Sequence, residues 1–287
     1  MIDITILHWR ISPYFICFLL SFVLAYLYVT WYLKKAGVKG SHIFYSELLN
    51  TVLALYFGAF YTFIVQLAEQ GKVETFGFSS LGGMAGILLG VWIFTKISKE
   101  HKIELWTAYV LALGLMYAVS KLGCFFAGCC VGMRYQGPGS IRYLDNGAAG
   151  EYLFPVQLAE TILFLLAFLL LHRMAERKRN GIIPKSLLLY AILKFVLDYM
   201  RYYEDRKIFS ANQWGCLLVA VSVLLYEAVR QIRQRANNIT DMRKEFCGCC
   251  AGRTLLHCYA SKEAAGQVMV VIKRYIYCKR LDSEQSI

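Results

Sequence analysis

The chain has 287 residues, 58% of them hydrophobic and only 17% charged, with a mean hydropathy of +0.47 and a formal net charge of +12. That balance excludes an ordinary soluble domain; long apolar stretches between short charged loops are the pattern of an all-α polytopic membrane protein. The positive excess sits mainly in alternate loops and the tail, so membrane orientation accounts for it and no nucleic-acid partner is expected.

Segment one runs roughly from Ile11 to Leu33 and ends at Lys34, Lys35 and Lys39. It carries no small-residue cleavage site and is flanked by Tyr26, Trp31 and Tyr32, so it reads as a retained helix rather than a removed signal peptide. Segment two spans about Ser46 to Leu67, followed by a mixed loop with Glu69, Lys72 and Glu74. Segment three spans about Gly77 to Phe94 and closes at Lys96, Lys99 and Lys102. Within it Gly82, Gly86 and Gly90 lie four apart on one face, the spacing that lets two helices cross closely.

Segment four, about Glu104 to Phe126, delivers a dense stretch from Ser120 to Gly132: Ser-Lys-Leu-Gly-Cys-Phe-Phe-Ala-Gly-Cys-Cys-Val-Gly. Lys121 sits where an apolar run gives way to a polar one, and Gly123, Gly128 and Gly132 permit close approach of a helix or a ligand. The polar stretch 133–153 holds the turn signals Gly137-Pro138-Gly139 and Asp145-Asn146-Gly147, so it is expected to be an ordered loop or small head. Segment five runs from about Phe154 to Leu171, ending in His172, Arg173, Arg177, Lys178 and Arg179. Segment six runs from about Ile182 to Tyr202, and segment seven from about Gln213 to Val229, exiting into Arg230, Arg233 and Arg235.

Seven spans put the termini on opposite sides. Basic clusters follow spans one, three, five and seven, which places the N-terminus outside and the C-terminus in the cytoplasm. The expected division is a transmembrane domain over 1–232 and a basic, cysteine-containing cytoplasmic tail over 233–287. Lys121, the polar loop and the stretch from Arg201 through Glu204 to Lys207 then share the outer side.

Segment six carries Tyr190, Lys194, Asp198 and Arg201 at spacings of four, four and three, which is one helical face. An intramembrane charge costs about 2.5–3.5 kcal/mol on insertion scales, so such a stripe marks a binding site or a pathway. An internal Lys194–Asp198 pair snorkelling to the interface is the plainer reading, but three ionisable groups and a tyrosine exceed what a tether needs. Segment five adds Gln157 and Glu160 on one face just after Pro155. The expectation is an outward-opening cavity lined by Lys121, Lys194 and Arg201, with Asp198 and Glu160 as orienting anions. Clustered cations in a low-dielectric cleft bind phosphate, and a lipid headgroup is the anion at that depth.

These residues resemble a known family. Gly123-Cys-Phe-Phe-Ala-Gly128 through Gly132, Phe154-Pro-Val-Gln157-Leu-Ala-Glu160, then Gly181, Tyr190, Lys194-Phe195, Asp198, Arg201 and Gln213 are similar to the motifs of prolipoprotein diacylglyceryl transferases, over about residues 1–230. The resemblance implies seven spans in the bacterial plasma membrane and transfer of the diacylglyceryl group of phosphatidylglycerol to a lipobox cysteine thiol. The product is a thioether, and glycerol phosphate leaves. It also implies membrane lipid and a prolipoprotein lipobox peptide as partners, with no cofactor; no metal ligands are assigned. The family's arginine and asparagine fall at Lys121 and Cys124, and its motif glutamate at Cys129. The arginine and glutamate of its later helix fall at Lys194 and Asp198, and its histidine at Leu81.

The resulting assignment makes Lys121, Lys194, Asp198 and Cys124 catalytic. Gly123, Gly128, Gly132, Arg201, Tyr190, Gln157, Glu160 and Glu204 are assigned to substrate binding. Lys121, Lys194 and Arg201 hold the phosphate and stabilise the leaving group, while Asp198 orients Lys194 or helps deprotonate the acceptor thiol. Replacing lysine for arginine keeps charge but loses the bidentate fork. Cys124, Cys129 and Cys130 are open to four readings: packing, a disulfide from Cys124 to one of the adjacent pair, catalysis or metal binding. In the tail, Cys247-Gly-Cys249-Cys250 and His257-Cys258 match zinc-ligand spacing only loosely, and reduced thiols on a basic segment are the plainer reading. The rival to a transferase is a non-enzymatic membrane protein that binds or passes a lipid or anion through the same cavity.

Overall fold

A computed structural model describes residues 4–6, 9–72, 77–143, 150–177, 180–202 and 208–250. Glu74, Asp145, Asn146, Gly147, Lys178, Arg179, Glu204, Lys207, His257, Cys258, Lys273 and Arg274 lie outside the described residues. The chain divides into two compact units, Met1–Glu227 and Ala228–Ile287.

A short hairpin of β1 (Ile4–Ile6) and β2 (Trp9–Ile11) precedes α1 (Pro13–Lys35), which starts at the Ser12 cap with proline in its first turn. α2 (Gly40–Gln70) begins earlier than the apolar run suggests, because Ser41-His42-Ile43 continue the helix outward from its apolar part. α3 (Ser80–Ser98) is capped by Ser79, and α4 (Lys102–Ala127) follows. The polar stretch forms β3 (Ile141–Arg142) paired antiparallel with β4 (Tyr152–Leu153). Then come α5 (Val156–Glu176), α6 (Ile182–Asp198) and α7 (Ala211–Cys250). Among the described residues, six helices are long and apolar enough to cross a membrane by length and composition; α6, 17 residues long, falls short of that length.

Two ends differ from the sequence reading. α6 stops at Asp198, three residues before Arg201, because the backbone at 200–202 leaves the helix to pair with 131–133: Met133 N–H donates to Met200 O and Tyr202 N–H to Val131 O. α7 runs on past Val229, since no glycine or proline interrupts residues 217–246.

α4 is the central helix of the first unit. Its most apolar window is 61% buried, against 39% or less in the other five candidate spans. It packs chiefly against α1 and α5 and also touches α3 and α6, while α6 packs on α5 as well. Gly123 sits against α1, where an added Cβ would lie 2.8 Å from Cys17 Cβ. α2 and α3 cross at Gly82, Gly86 and Gly90: a Cβ on Gly86 would lie 2.9 Å from Ala54 Cα and collide with the Leu53 carbonyl.

Candidate functional site

The charged stripe of α6 meets α4 and α5 around one carboxylate. Glu160, fully buried on α5, accepts a hydrogen bond from Tyr117 OH (2.7 Å), one from Lys194 Nζ (3.0 Å) and one from Arg201 Nη2 (2.9 Å to Oε1, 3.2 Å to Oε2). Lys121 Nζ lies 3.4 Å from its other oxygen. A carboxylate with this many donors stays ionised in a dry interior, which is the condition for burying it at all.

Asp198 forms a second anionic point. Lys194 Nζ is 3.2 Å and Arg201 Nε 3.4 Å from its Oδ1, and Ser210 Oγ donates to Oδ2. Gln213 locks that serine in place, donating its backbone N–H to Ser210 Oγ and accepting from Ser210 N–H. Tyr117 offers its ring to two cations, with Lys121 Nζ 5.2 Å and Lys194 Nζ 5.6 Å from the centroid. Burial works against the charge of Arg201, but Glu160, followed by Tyr117, Cys130 and Asp198, holds its guanidinium pKa well above the usual value.

The cluster adjoins a cavity of about 650 Å³. Among the described residues its wall includes Lys121, Arg201, Asp198, Ser210 and Gln213, together with Tyr14, Phe18, Phe78, Met84 and all three cysteines of the motif. Lys194 and Glu160 are buried behind that wall. Two cations therefore face the cavity, and one stands in the second row.

The cysteines reach the cavity through the way α4 ends. Gly128 takes a left-handed conformation (φ +66°), with its N–H on Phe125 O while Cys129 N–H returns to Cys124 O at 3.1 Å. This double closure of a helix terminus lays the residue after the glycine over the one five positions earlier. Cys130 is also left-handed (φ +54°) and continues the reversal. The Sγ atoms of Cys124, Cys129 and Cys130 all lie within 4.8 Å of one another, and all three are free thiols. Hydrogen bonds from Cys124 and Cys129 hold the Cys130 thiol well below its usual range, aided by Lys121 and Arg201. Hydrogen bonding with Cys124 and Cys130 pushes Cys129 up.

Gln157, wholly buried at the start of α5, donates from Nε2 to Cys129 O at 2.7 Å and pins this turn. Gly132 pairs with Arg201 in an antiparallel bridge, and a Cβ there would collide with the Phe154 carbonyl. Tyr190 lies deeper in the bundle, stacked on Phe164 with its OH donating to Leu111 O at 3.3 Å. Leu81 packs against Gly215 of α7. Lys121, Cys124, Gly132, Gln157, Glu160, Lys194, Asp198 and Arg201 are thus brought together, whereas Tyr190 is held in a separate packing contact and Glu204 is not among the described residues. The sequence reading missed Tyr117 and Ser210. Tyr117 was findable, since 117, 121 and 124 share one face of α4; Ser210 carried no periodic signal.

The family model described as prolipoprotein diacylglyceryl transferase matches residues 2–228. A phosphatidylglycerol–prolipoprotein diacylglyceryl transferase of Clostridium tetani is 24% identical over 178 residues, 58% of this chain and 72% of the relative. One of Dehalococcoides mccartyi is 24% identical over 226 residues, covering 72% and 85%. A Clostridium perfringens protein, phosphatidylglycerol–prolipoprotein diacylglyceryl transferase 2, is 26% identical over 167 residues, covering 55% and 64%.

Proposed function

Because the chain belongs to the prolipoprotein diacylglyceryl transferase family, a family of transferases whose members act in lipoprotein biosynthesis, we propose that it moves a diacylglyceryl group from phosphatidylglycerol to the cysteine thiol of a prolipoprotein lipobox. The observation that carries this reading is the pair Lys121 and Arg201 on the wall of a cavity large enough for a headgroup, in a multi-pass membrane protein. Lys121 and Arg201 hold the phosphate and stabilise the charge that develops on the departing glycerol phosphate. Glu160 and Asp198 position them, and Lys194 neutralises the carboxylates from behind. The acceptor sulfur attacks the glyceryl methylene carbon as a thiolate, the carbon–oxygen bond to phosphate breaks, and the thiol proton goes to water. The protein works in the bacterial plasma membrane as seven spans, α6 included, with the N-terminus outside, the C-terminus cytoplasmic and the cavity facing outward.

The test is rescue of a bacterial strain depleted of its own diacylglyceryl transferase, read by the gel shift of a lipidated precursor. Rescue by the intact chain and its loss in Lys121→Ala are expected. Membrane expression without a shift would reject the transferase reading in favour of a lipid- or anion-binding protein.

A further inference from the structure

The three thiols on the cavity wall are more than the phosphate chemistry requires. From their placement we infer that Cys124, Cys129 and Cys130 form a three-thiolate site for a thiophilic divalent cation such as zinc, with an open fourth position toward the cavity that takes the acceptor thiol. The inference rests on the transferase reading for the identity of that fourth ligand, but not for the ion site itself.

Three features support it. The first is spacing. Thiolates sit about 2.3 Å from zinc, so a tetrahedral site needs sulfurs about 3.8 Å apart. Sulfurs already within 4.8 Å of one another close on an ion by about 1 Å or less. The second is preorganisation: the turn at Gly128, the left-handed Cys130 and the hydrogen bond from Gln157 to Cys129 O fix the three positions before any ion arrives. The third is charge. Among the described residues, Lys121, Lys194 and Arg201 pair with two carboxylates, Glu160 and Asp198, leaving one positive charge in the cluster. Three thiolates around a divalent ion carry one negative charge and close the balance, whereas a monovalent ion would leave an excess of negative charge.

A three-protein-ligand site with an open position is the arrangement of catalytic rather than structural zinc. An acceptor thiol entering that position is deprotonated by the ion, its proton passing to water. The bound sulfur keeps a lone pair for the glyceryl carbon, and the carbon–oxygen bond breaks as the glycerol phosphate leaves toward Lys121 and Arg201. The thioether product is neutral, a weaker ligand than a thiolate, and dissociates.

The experiment uses the full chain with Cys247, Cys249, Cys250, Cys258 and Cys278 replaced by serine, so that tail thiols do not contribute, purified in detergent with a phosphine reductant. Cobalt(II) is titrated as a spectroscopic probe. One equivalent producing a thiolate-to-cobalt charge-transfer band is expected. Cys124→Ser, Cys129→Ser and Cys130→Ser should each weaken binding by more than about tenfold, the smallest loss expected even from removing an outer partner of a metal ligand. Cys17→Ser and Cys216→Ser should leave the band intact, which separates ligand loss from misfolding. A cysteine-containing lipobox peptide should intensify the band, and its serine analogue should not. No band, a band indifferent to the three serine changes, or a disulfide within the trio in the transfer-active protein overturns the ion site. A band unmoved by the cysteine peptide in a protein that still transfers overturns the fourth-ligand role alone. A peptide-responsive band without any transfer product sustains the ion site and instead rejects the transferase reading.

Discussion

Arg201 Nη2 reaches both carboxylate oxygens of Glu160, at 2.9 and 3.2 Å, across 41 positions of sequence. The contact ties the strand-like segment beyond α6 to the start of α5. It makes Glu160 the hub on which every cation of the site depends, since Lys121 and Lys194 lie on the same carboxylate.

Removing that hub should damage the fold before the chemistry. Glu160→Ala takes the shared carboxylate from Lys121, Lys194 and Arg201 and leaves Asp198 to Lys194 and Arg201, and breaking a buried ion pair costs about 3–5 kcal/mol. A clear drop in the melting temperature of the detergent-solubilised protein is expected, with Glu160→Gln falling between it and the native chain. A melting temperature unchanged in Glu160→Ala would refute the hub.

Lys121 and Lys194 should separate in their effects. Lys121 lines the cavity, so Lys121→Ala should lower diacylglyceryl transfer by about 10²–10³-fold, the scale of a lost transition-state donor. Lys194 is buried against Glu160 and Asp198, so Lys194→Ala should lower the melting temperature more than Lys121→Ala does. Transfer rates and thermal unfolding on the same preparations check both; equal profiles for the two variants would contradict the geometry.

Gly132→Ala should abolish transfer while the helical bundle persists. Its new methyl collides with the Phe154 carbonyl and lies 3.1 Å from Met200 O, so the strand carrying Arg201 must move. Gly40→Ala, where no atom lies within 4 Å, serves as the neutral control. The readouts are lipidated product and helical circular dichroism, and an active Gly132→Ala protein would show that the bridge is dispensable.

Gly86→Leu should force α2 and α3 apart at their closest crossing. Overpacking costs about 1–3 kcal/mol, and here the obstruction is backbone that has no rotamer to yield. Thermal unfolding that matches the native chain would mean the crossing is loose.

The glycine crossing of α3 was legible in the chain, as was the stripe of α6, because both are local periodicities. So was the meeting of Cys124 with Cys129: a helix closed by a glycine lays the next residue back over the one five positions before it. The position of Arg201 was less legible. Helical spacing put it on the face of α6, whereas a backbone bridge to Gly132 ends the helix first and aims the guanidinium from a strand. Ser210 was invisible, since a lone serine at a helix start reads only as a cap.

The sequence by itself determined that this is a multi-span helical chain with polar residues concentrated on a few faces, because hydropathy and helical period act within a segment. Only the tertiary structure decided which charges meet: Lys121 from α4, Lys194 from α6 and Arg201 beyond it converge on one carboxylate of α5. It also decided that Lys121 and Arg201 face the cavity while Lys194 stands behind them. Those relations join residues 34 to 41 positions apart, as the Lys194 and Arg201 contacts with Glu160 illustrate. They are set by how helices pack around α4, which no local pattern encodes.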